Sequence, residues 1–256
     1  MTDRLADGGR ASPLAGQIAV VTGASQGIGS VIARRLADEG ASVALLARSI
    51  EKLRHLAEEL GTAGFAVRCD VADPASVREA FSRVAERFGR LNILVNNAGI
   101  IGLSLLSDAD DDHILQQVAT NLAGPILCSR AAVPLLRTAG SGHIVNISSR
   151  SVELPRPYLS VYSATKGGLE TFSRTLAAEL RPDRIWVSAI RVGPVATTEQ
   201  ISEAPSLERS VAEEWVARGG PAPEPPATPE SVADAVIFVV TARPGVRYPV
   251  VHLEPT

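Results

Sequence analysis

The chain is short of the residues that mark several common classes of protein. Its two cysteines, Cys69 and Cys128, lie far apart, which argues against a disulfide framework or a thiolate metal site and for a reduced cytoplasmic interior. The four histidines, His55, His113, His143 and His252, form no ligand spacing, and no metal is expected. No apolar run approaches the roughly eighteen residues that a membrane span needs. The formal charge is −3 with Lys and Arg scattered, so there is no electrostatic case for nucleic acid or an anionic membrane. Asp3, Arg4, Asp7 and Arg10 interrupt the first fourteen residues, which lack a signal peptide's apolar centre and read as a flexible leader.

What is present is a regular alternation of short β-branched runs with helical stretches over 256 residues. That pattern predicts a single α/β domain, doubly wound around a mostly parallel seven-stranded sheet with helices on both faces. Strands are expected at Ile18–Thr22, Ser42–Ala47, Ala66–Cys69, Ile93–Val95, His143–Ser148, Ile185–Ile190 and Val250–Leu253. Asp73–Pro74 and Thr228–Pro229 each read as an N-cap followed by proline in the first helical position. Gly40, Gly61 and Gly140 sit where helices should stop. One compositional break, Val195–Pro229, ends in a proline-rich stretch, and a mobile lid over a pocket is expected there. The remainder, residues 15–256, reads as one catalytic domain, without internal repeats.

Two local patterns carry chemistry. The first strand runs into Thr22–Gly23–Ala24–Ser25–Gln26–Gly27–Ile28–Gly29, and a helix follows. Glycines at such a junction allow a tight turn and bring backbone N–H groups to a pyrophosphate at the helix N-terminus. The second strand ends at Ala47–Arg48–Ser49, with a cation where an NAD-binding chain usually carries a carboxylate for the ribose hydroxyls. NADP(H) is therefore expected over NAD(H), with Arg48 and Ser49 at the 2′-phosphate. The other pattern is Tyr162 four residues before Lys166, on one helix face, where a nearby ammonium is expected to lower the phenol's pKa toward neutrality. A phenol so tuned can give a proton to a carbonyl oxygen or take one from an alcohol.

With the glycine turn and the Tyr162/Lys166 pair both in place, the chain resembles the short-chain dehydrogenase/reductase family over nearly its whole length. Further segments match that family in order. Asp70–Val71 resembles its adenine-contacting pair, and Asn96–Asn97–Ala98–Gly99 its sheet-steadying motif beside the cofactor. Asn121 matches its catalytic asparagine, and Ser149, thirteen residues before Tyr162, its catalytic serine in preference to Ser148 and Ser151. The resemblance implies that Ser149 and Tyr162 meet a carbonyl oxygen, that Lys166 holds the nicotinamide ribose, and that Asn121 holds a water linking Lys166 to solvent. Asn121 could equally serve backbone groups at a helix kink, and Tyr158 reads as a pocket wall. Cofactor contacts are implied for Gly23, Ser25, Gln26, Gly27, Ile28, Gly29, Arg48, Asp70, Val71, Asn97, Ala98, Gly99, Tyr162 and Lys166, and beyond the sixth strand for Gly193, Val195 and Thr197.

The chain departs from the family at Val192, where proline is common, and at its C-terminus, whose Leu253–Glu254–Pro255–Thr256 resembles the branch acting on small 3-hydroxy acids. Arg150, Glu153 and Arg156 follow the catalytic serine, and a cation there could clamp a substrate carboxylate. The implied activity is an NADP(H)-dependent carbonyl reductase or alcohol dehydrogenase, assembled as a homo-oligomer (dimer or tetramer) through Asp110–Arg137 and Val161–Leu180. The alternatives are an NAD-dependent alcohol dehydrogenase and a nucleotide sensor without turnover.

Overall fold

A computed structural model describes residues 12–154, 156–196, 213–217, 225–243 and 245–254. Seven parallel strands form one sheet in the order β3-β2-β1-β4-β5-β6-β7: β1 (Ile18–Thr22), β2 (Ser42–Ala47), β3 (Gly64–Arg68), β4 (Ile93–Asn96), β5 (Gly142–Ser149), β6 (Ile185–Val192) and β7 (Val250–His252). Strand order reverses between β1 and β4, and in such sheets the crevice beyond the carboxyl ends of those strands is where ligands bind. The helices are α1 (Gly27–Asp38), α2 (Ile50–Leu60), α3 (Pro74–Phe88), α4 (Asp111–Val118), α5 (Gly124–Thr138), α6 (Ser160–Glu179) and α7 (Pro229–Val240). This is the Rossmann architecture expected from the alternation, with every strand pair parallel. Both proline-led N-caps are present: the Asp73 carboxylate accepts from Ala75 N–H and the Thr228 hydroxyl from Ser231 N–H.

Successive strand residues point to opposite faces, and each face buries its own cluster. Ala19, Val21, Val43, Leu45, Val95 and Val145 pack under α1, α2 and α7. Val20, Ala44, Leu46, Leu94 and Ile144 pack under α3, α5 and α6. Each buried Val, Leu or Ile contributes about 1.5–3 kcal/mol, so the sheet is a stiff platform for its loops.

Two expectations are corrected. The third strand begins at Gly64 rather than Ala66, leaving Cys69 just beyond its end; burial pushes that thiol up to about 11. The stretch read as one helix over Asp110–Arg137 is instead α4 and α5 joined by a π-helical turn at Ala119–Ala123. There Gly124 N–H bonds back to Ala119 O, five residues earlier, and Pro125 has no N–H to give the Asn121 carbonyl in α-register. The residues read as a leader lie outside the described ones up to Ala11, and so does most of the stretch read as a lid. Among the described residues no helix is long and apolar enough to cross a membrane.

His143 enters the sheet core on β5, its Nε2 lying 3.0 Å from Ser188 Oγ. Burial lowers its pKa to about 4. Between that value and the ordinary 6.5 or so, the unfolded chain binds a proton that the folded chain refuses, so stability falls as pH drops through this window. The loss should reach about 3 kcal/mol at pH 4. Denaturant midpoints measured from pH 7 to pH 4 should show this slope, and His143→Gln should flatten it; an equal slope in that variant would contradict the assignment.

Candidate active site

The glycine turn opens α1 at the carboxyl end of β1. Gly23 and Gly27 have φ of +67° and +53°, the left-handed region that favours glycine. Gly29 is held for a different reason: a Cβ there would stand 2.2 Å from Gly23 O and 2.5 Å from Asn97 Nδ2. At the N-cap of α1, Gln26 makes no side-chain cap hydrogen bond; its Oε1 accepts from Lys52 Nζ at 2.6 Å. No acidic residue lies in the first turn to compete with an anion for the positive end of the helix dipole. Ser25 and Ile28 complete this partly exposed cradle.

Thr22 organises the join between turn and sheet, a role the sequence reading missed. Its hydroxyl accepts from Asn97 N–H at 3.0 Å and Ala98 N–H at 3.1 Å, while Asn97 Nδ2 donates to Thr22 O at 3.0 Å. Arg48 and Ser49 stand exposed at the end of β2, and Lys52, in the first turn of α2, is a further exposed cation, tied to Gln26. Asp70 accepts from Ala72 N–H at 3.0 Å and so shapes the turn after β3. Val71 is buried against Gly124, where a Cβ would come within 3.0 Å of its side chain. Gly193 and Val195 follow β6, with Val195 bridged to Ala227 and Ala196 N–H bonded to Ala227 O at 3.0 Å. Thr197 lies outside the described residues.

Asn121, Ser149, Tyr162 and Lys166 converge beyond β4 and β5. Ser149 is the last residue of β5, and its side chain lies near enough to the Tyr162 phenol to lower that phenol's pKa. Lys166 is buried, and its Nζ donates to Ile147 O at 2.8 Å, lying 5.7 Å from the Tyr162 ring centroid. Gly99 borders both side chains: a Cβ there would crowd Asn121 Oδ1 at 3.3 Å and stand at ordinary contact, 3.6 Å, from Lys166 Nζ. The Asn121 side chain is wholly occupied, donating to Ile100 O at 2.8 Å and accepting from Ile100 N–H at 2.8 Å. The backbone groups it serves belong to the loop after β4 rather than to the helix kink.

One electrostatic expectation is reversed. Desolvation raises the pKa of Tyr162, only partly offset by the Ser149 side chain. Burial also lowers Lys166 to about 8, because the ammonium is costly to remove from water. Proximity of the two residues is therefore not enough to make phenolate; in the protein alone, burial outweighs it.

The rim is committed to internal ties. Glu153 pairs with Arg191, and Arg150 lies 3.9 Å from Glu254. Arg156 stacks on the Trp215 ring, 4.0 Å from its centroid, and the Tyr158 hydroxyl donates to Glu214, which fastens residues 213–217 to the loop after Ser149. Tyr158, taken as a pocket wall, thus acts as a tether. Among the described residues no group of His, Cys, Asp and Glu could hold a metal ion.

This arrangement has close counterparts. The family model for short chain dehydrogenase matches residues 17–207. A 3-oxoacyl-[acyl-carrier-protein] reductase of Bos taurus is 38% identical over 189 residues, covering 73% of this chain and 80% of that one. A 3-ketoacyl-(acyl-carrier-protein) reductase from Brucella melitensis, complexed with NADH, superposes with a TM-score of 0.80 at 28% identity, over 94% and 97% of the two chains. A closed form of serine dehydrogenase complexed with NADP+ gives a TM-score of 0.83 at 29% identity, over 93% and 95%. The chain is a member of the short-chain dehydrogenase family, and so an oxidoreductase by kinship.

Proposed function

We propose that this oxidoreductase is NADP(H)-dependent and interconverts a small ketone or aldehyde with the corresponding alcohol, with Tyr162 as general acid and base. The observation that carries this reading is the convergence of Ser149, Tyr162 and Lys166: Lys166 Nζ is bonded to Ile147 O on the strand that ends at Ser149, lies 5.7 Å from the Tyr162 ring centroid, and sits against Gly99. The cradle fits a dinucleotide: the glycine turn, the first-turn N–H groups of α1 and the Asp70 turn would hold its pyrophosphate and adenine ends. What bound NADPH supplies there is a hydride.

The chain's own residues handle the oxygen and its proton. Reduction leaves negative charge on the carbonyl oxygen, and the Ser149 hydroxyl and Tyr162 phenol are the donors for that charge. A raised phenol pKa keeps Tyr162 protonated at neutral pH, the form that reduction consumes. Lys166, with a pKa near neutrality, can restore that proton or hold the ribose. The Asn121 carbonyl, left without an α-helical donor by Pro125, is a suitable anchor for a water that passes the proton onward. Substrates in keeping with the relatives are 3-oxo or 3-hydroxy acids or esters. The apolar Leu115 and Val118, exposed on α4, support assembly as a homo-oligomer. A cytoplasmic setting agrees with the two free cysteines.

The preference for NADP(H) rests on Arg48, with Lys52 as a second cation, and on the lack of a carboxylate at Ala47. An NAD-dependent alcohol dehydrogenase is the alternative, and the NADH complex of the Brucella neighbour keeps it in view. A sensor without turnover has no use for a protonated phenol paired with a serine.

Two measurements test the reading. Tyr162→Phe should lower kcat about 10²- to 10⁴-fold against a panel of β-keto esters, keto acids and aldehydes while still binding NADPH; undiminished reduction by that variant would refute the acid role. Arg48→Ala should raise the apparent constant for NADPH about 10- to 100-fold and that for NADH less than about twofold. Equal effects on both cofactors would reject the 2′-phosphate assignment.

A further inference from the structure

Helix α6 carries more than the catalytic pair on its inward face. Tyr162, Lys166 and Glu170 recur at four-residue intervals and so line one stripe. Glu170 is 3% exposed, unusual for a carboxylate, and nothing in the chemistry above uses it. Its Oε1 accepts from Ser148 Oγ at 2.7 Å and from Arg191 Nε at 2.7 Å, and its Oε2 from Arg191 Nη2 at 2.6 Å. Ser148 and Arg191 are register partners on β5 and β6, so one carboxylate clips α6 onto two adjacent strands. Arg191 extends the chain of contacts to Glu153 and to His252 Nε2, 3.0 Å away on β7.

Ser148 is the residue before Ser149. We propose that Glu170 is a positioning residue: by gripping Ser148 and Arg191 it fixes the peptide that presents Ser149 to the Tyr162 hydroxyl. The inference rests on the carbonyl–alcohol reading of the site and adds to it a residue that touches neither substrate nor cofactor. Burial alone would raise the Glu170 pKa, but the bonds from Arg191 and Ser148 outweigh it and hold the group below its ordinary value. The charged groups around it are Arg191 from β6 and Arg174 on its own helix, both favouring the carboxylate.

Were the grip lost, the Ser148–Ser149 step could shift against α6. The Ser149 hydroxyl would then fit both the phenol and an incoming carbonyl less well, which costs rate more than binding. A carboxylate that merely stabilised the fold would lower the melting midpoint without touching the phenol.

The test uses Ser148→Ala, a small change with little risk to folding, beside Glu170→Gln, which keeps the shape but not the charge. Both are prepared with tyrosine isotopically labelled at Cζ, whose resonance reports hydrogen bonding at the hydroxyl. The chain has three tyrosines, and Tyr162→Phe assigns the signal of interest. In both variants the Tyr162 resonance should move while that of Tyr248 stays, kcat should fall about tenfold, and the KM for the ketone should stay within about twofold. A lower melting midpoint with an unmoved Tyr162 resonance would overturn the proposal. If Glu170→Gln fails to fold, Ser148→Ala decides alone. The resonance needs no substrate, so a wild-type enzyme that reduces nothing on the panel would defeat the proposed function while the position of the Tyr162 signal still decides this one.

Discussion

The docking of helix α6 onto strand β5 is the constraint on which the rest depends. It is made of polar rungs rather than apolar packing alone. Ser173 Oγ accepts from Asn146 Nδ2 at 2.8 Å, Glu170 from Ser148, and Ile147 O from Lys166, while Tyr162 meets Ser149 at the open end. An apolar seam tolerates sliding, because dispersion is nearly indifferent to small shifts along an axis. Directional bonds between named turns and named strand residues are not indifferent. Each rung contributes only about 1 kcal/mol net when made, but a buried partner left unpaired costs about 1–3 kcal/mol. Sliding by a turn would strand several such groups at once, and losing one member of the buried Glu170–Arg191 pair costs about 3–5 kcal/mol. The register of the helix, and with it the geometry of the site, is set by what misalignment would leave unsatisfied.

That docking also explains the site's electrostatics. A phenol and an ammonium placed where water is scarce both favour their neutral forms, and this is the direction in which Tyr162 and Lys166 are displaced. The two shifts move the proton affinities of the groups apart, because Tyr162 rises above its ordinary value while Lys166 falls to about 8. Passage of a proton from Lys166 to a Tyr162 phenolate is therefore downhill, which suits the step that restores the phenol. Burial, usually counted against buried charge, here moves the lysine into the range where it can take and release protons under neutral conditions.

How much of this was legible in the chain depends on the range over which each feature is encoded. The sheet, the glycine turn and the Tyr162/Lys166 pair were readable because each rests on a short pattern whose geometry is local, whereas Asn121 and Ser149 were reached through the family resemblance. The π-helical turn carried a signal that went unread, Pro125, whose missing N–H belongs opposite the Asn121 carbonyl. Glu170 and Arg191 were not legible, being twenty-one positions apart and paired only through the stacking of a helix on a sheet. In sequence Glu170 looks like any helix-surface glutamate. The direction of the Tyr162 shift was misread for a related reason: spacing reveals that a cation is near, whereas desolvation depends on everything else packed around it.

The loop after Ser149 shows the same principle at the pocket rim. Arg150, Glu153 and Arg156 form a charged cluster in sequence, which invites the idea of a grip on substrate. In the fold Glu153 serves Arg191 and His252, Arg156 covers the Trp215 ring, and Arg150 stands near Glu254. A cation already engaged can bind a substrate carboxylate only by sharing or surrendering its present contact, so the net gain is the difference between two interactions. That difference is smaller than the about 1.5–3 kcal/mol of a fresh charged hydrogen bond. The loop's charges are therefore accounted for by what they hold within the chain, and a cluster that looks like a grip on substrate works first as a brace for the rim.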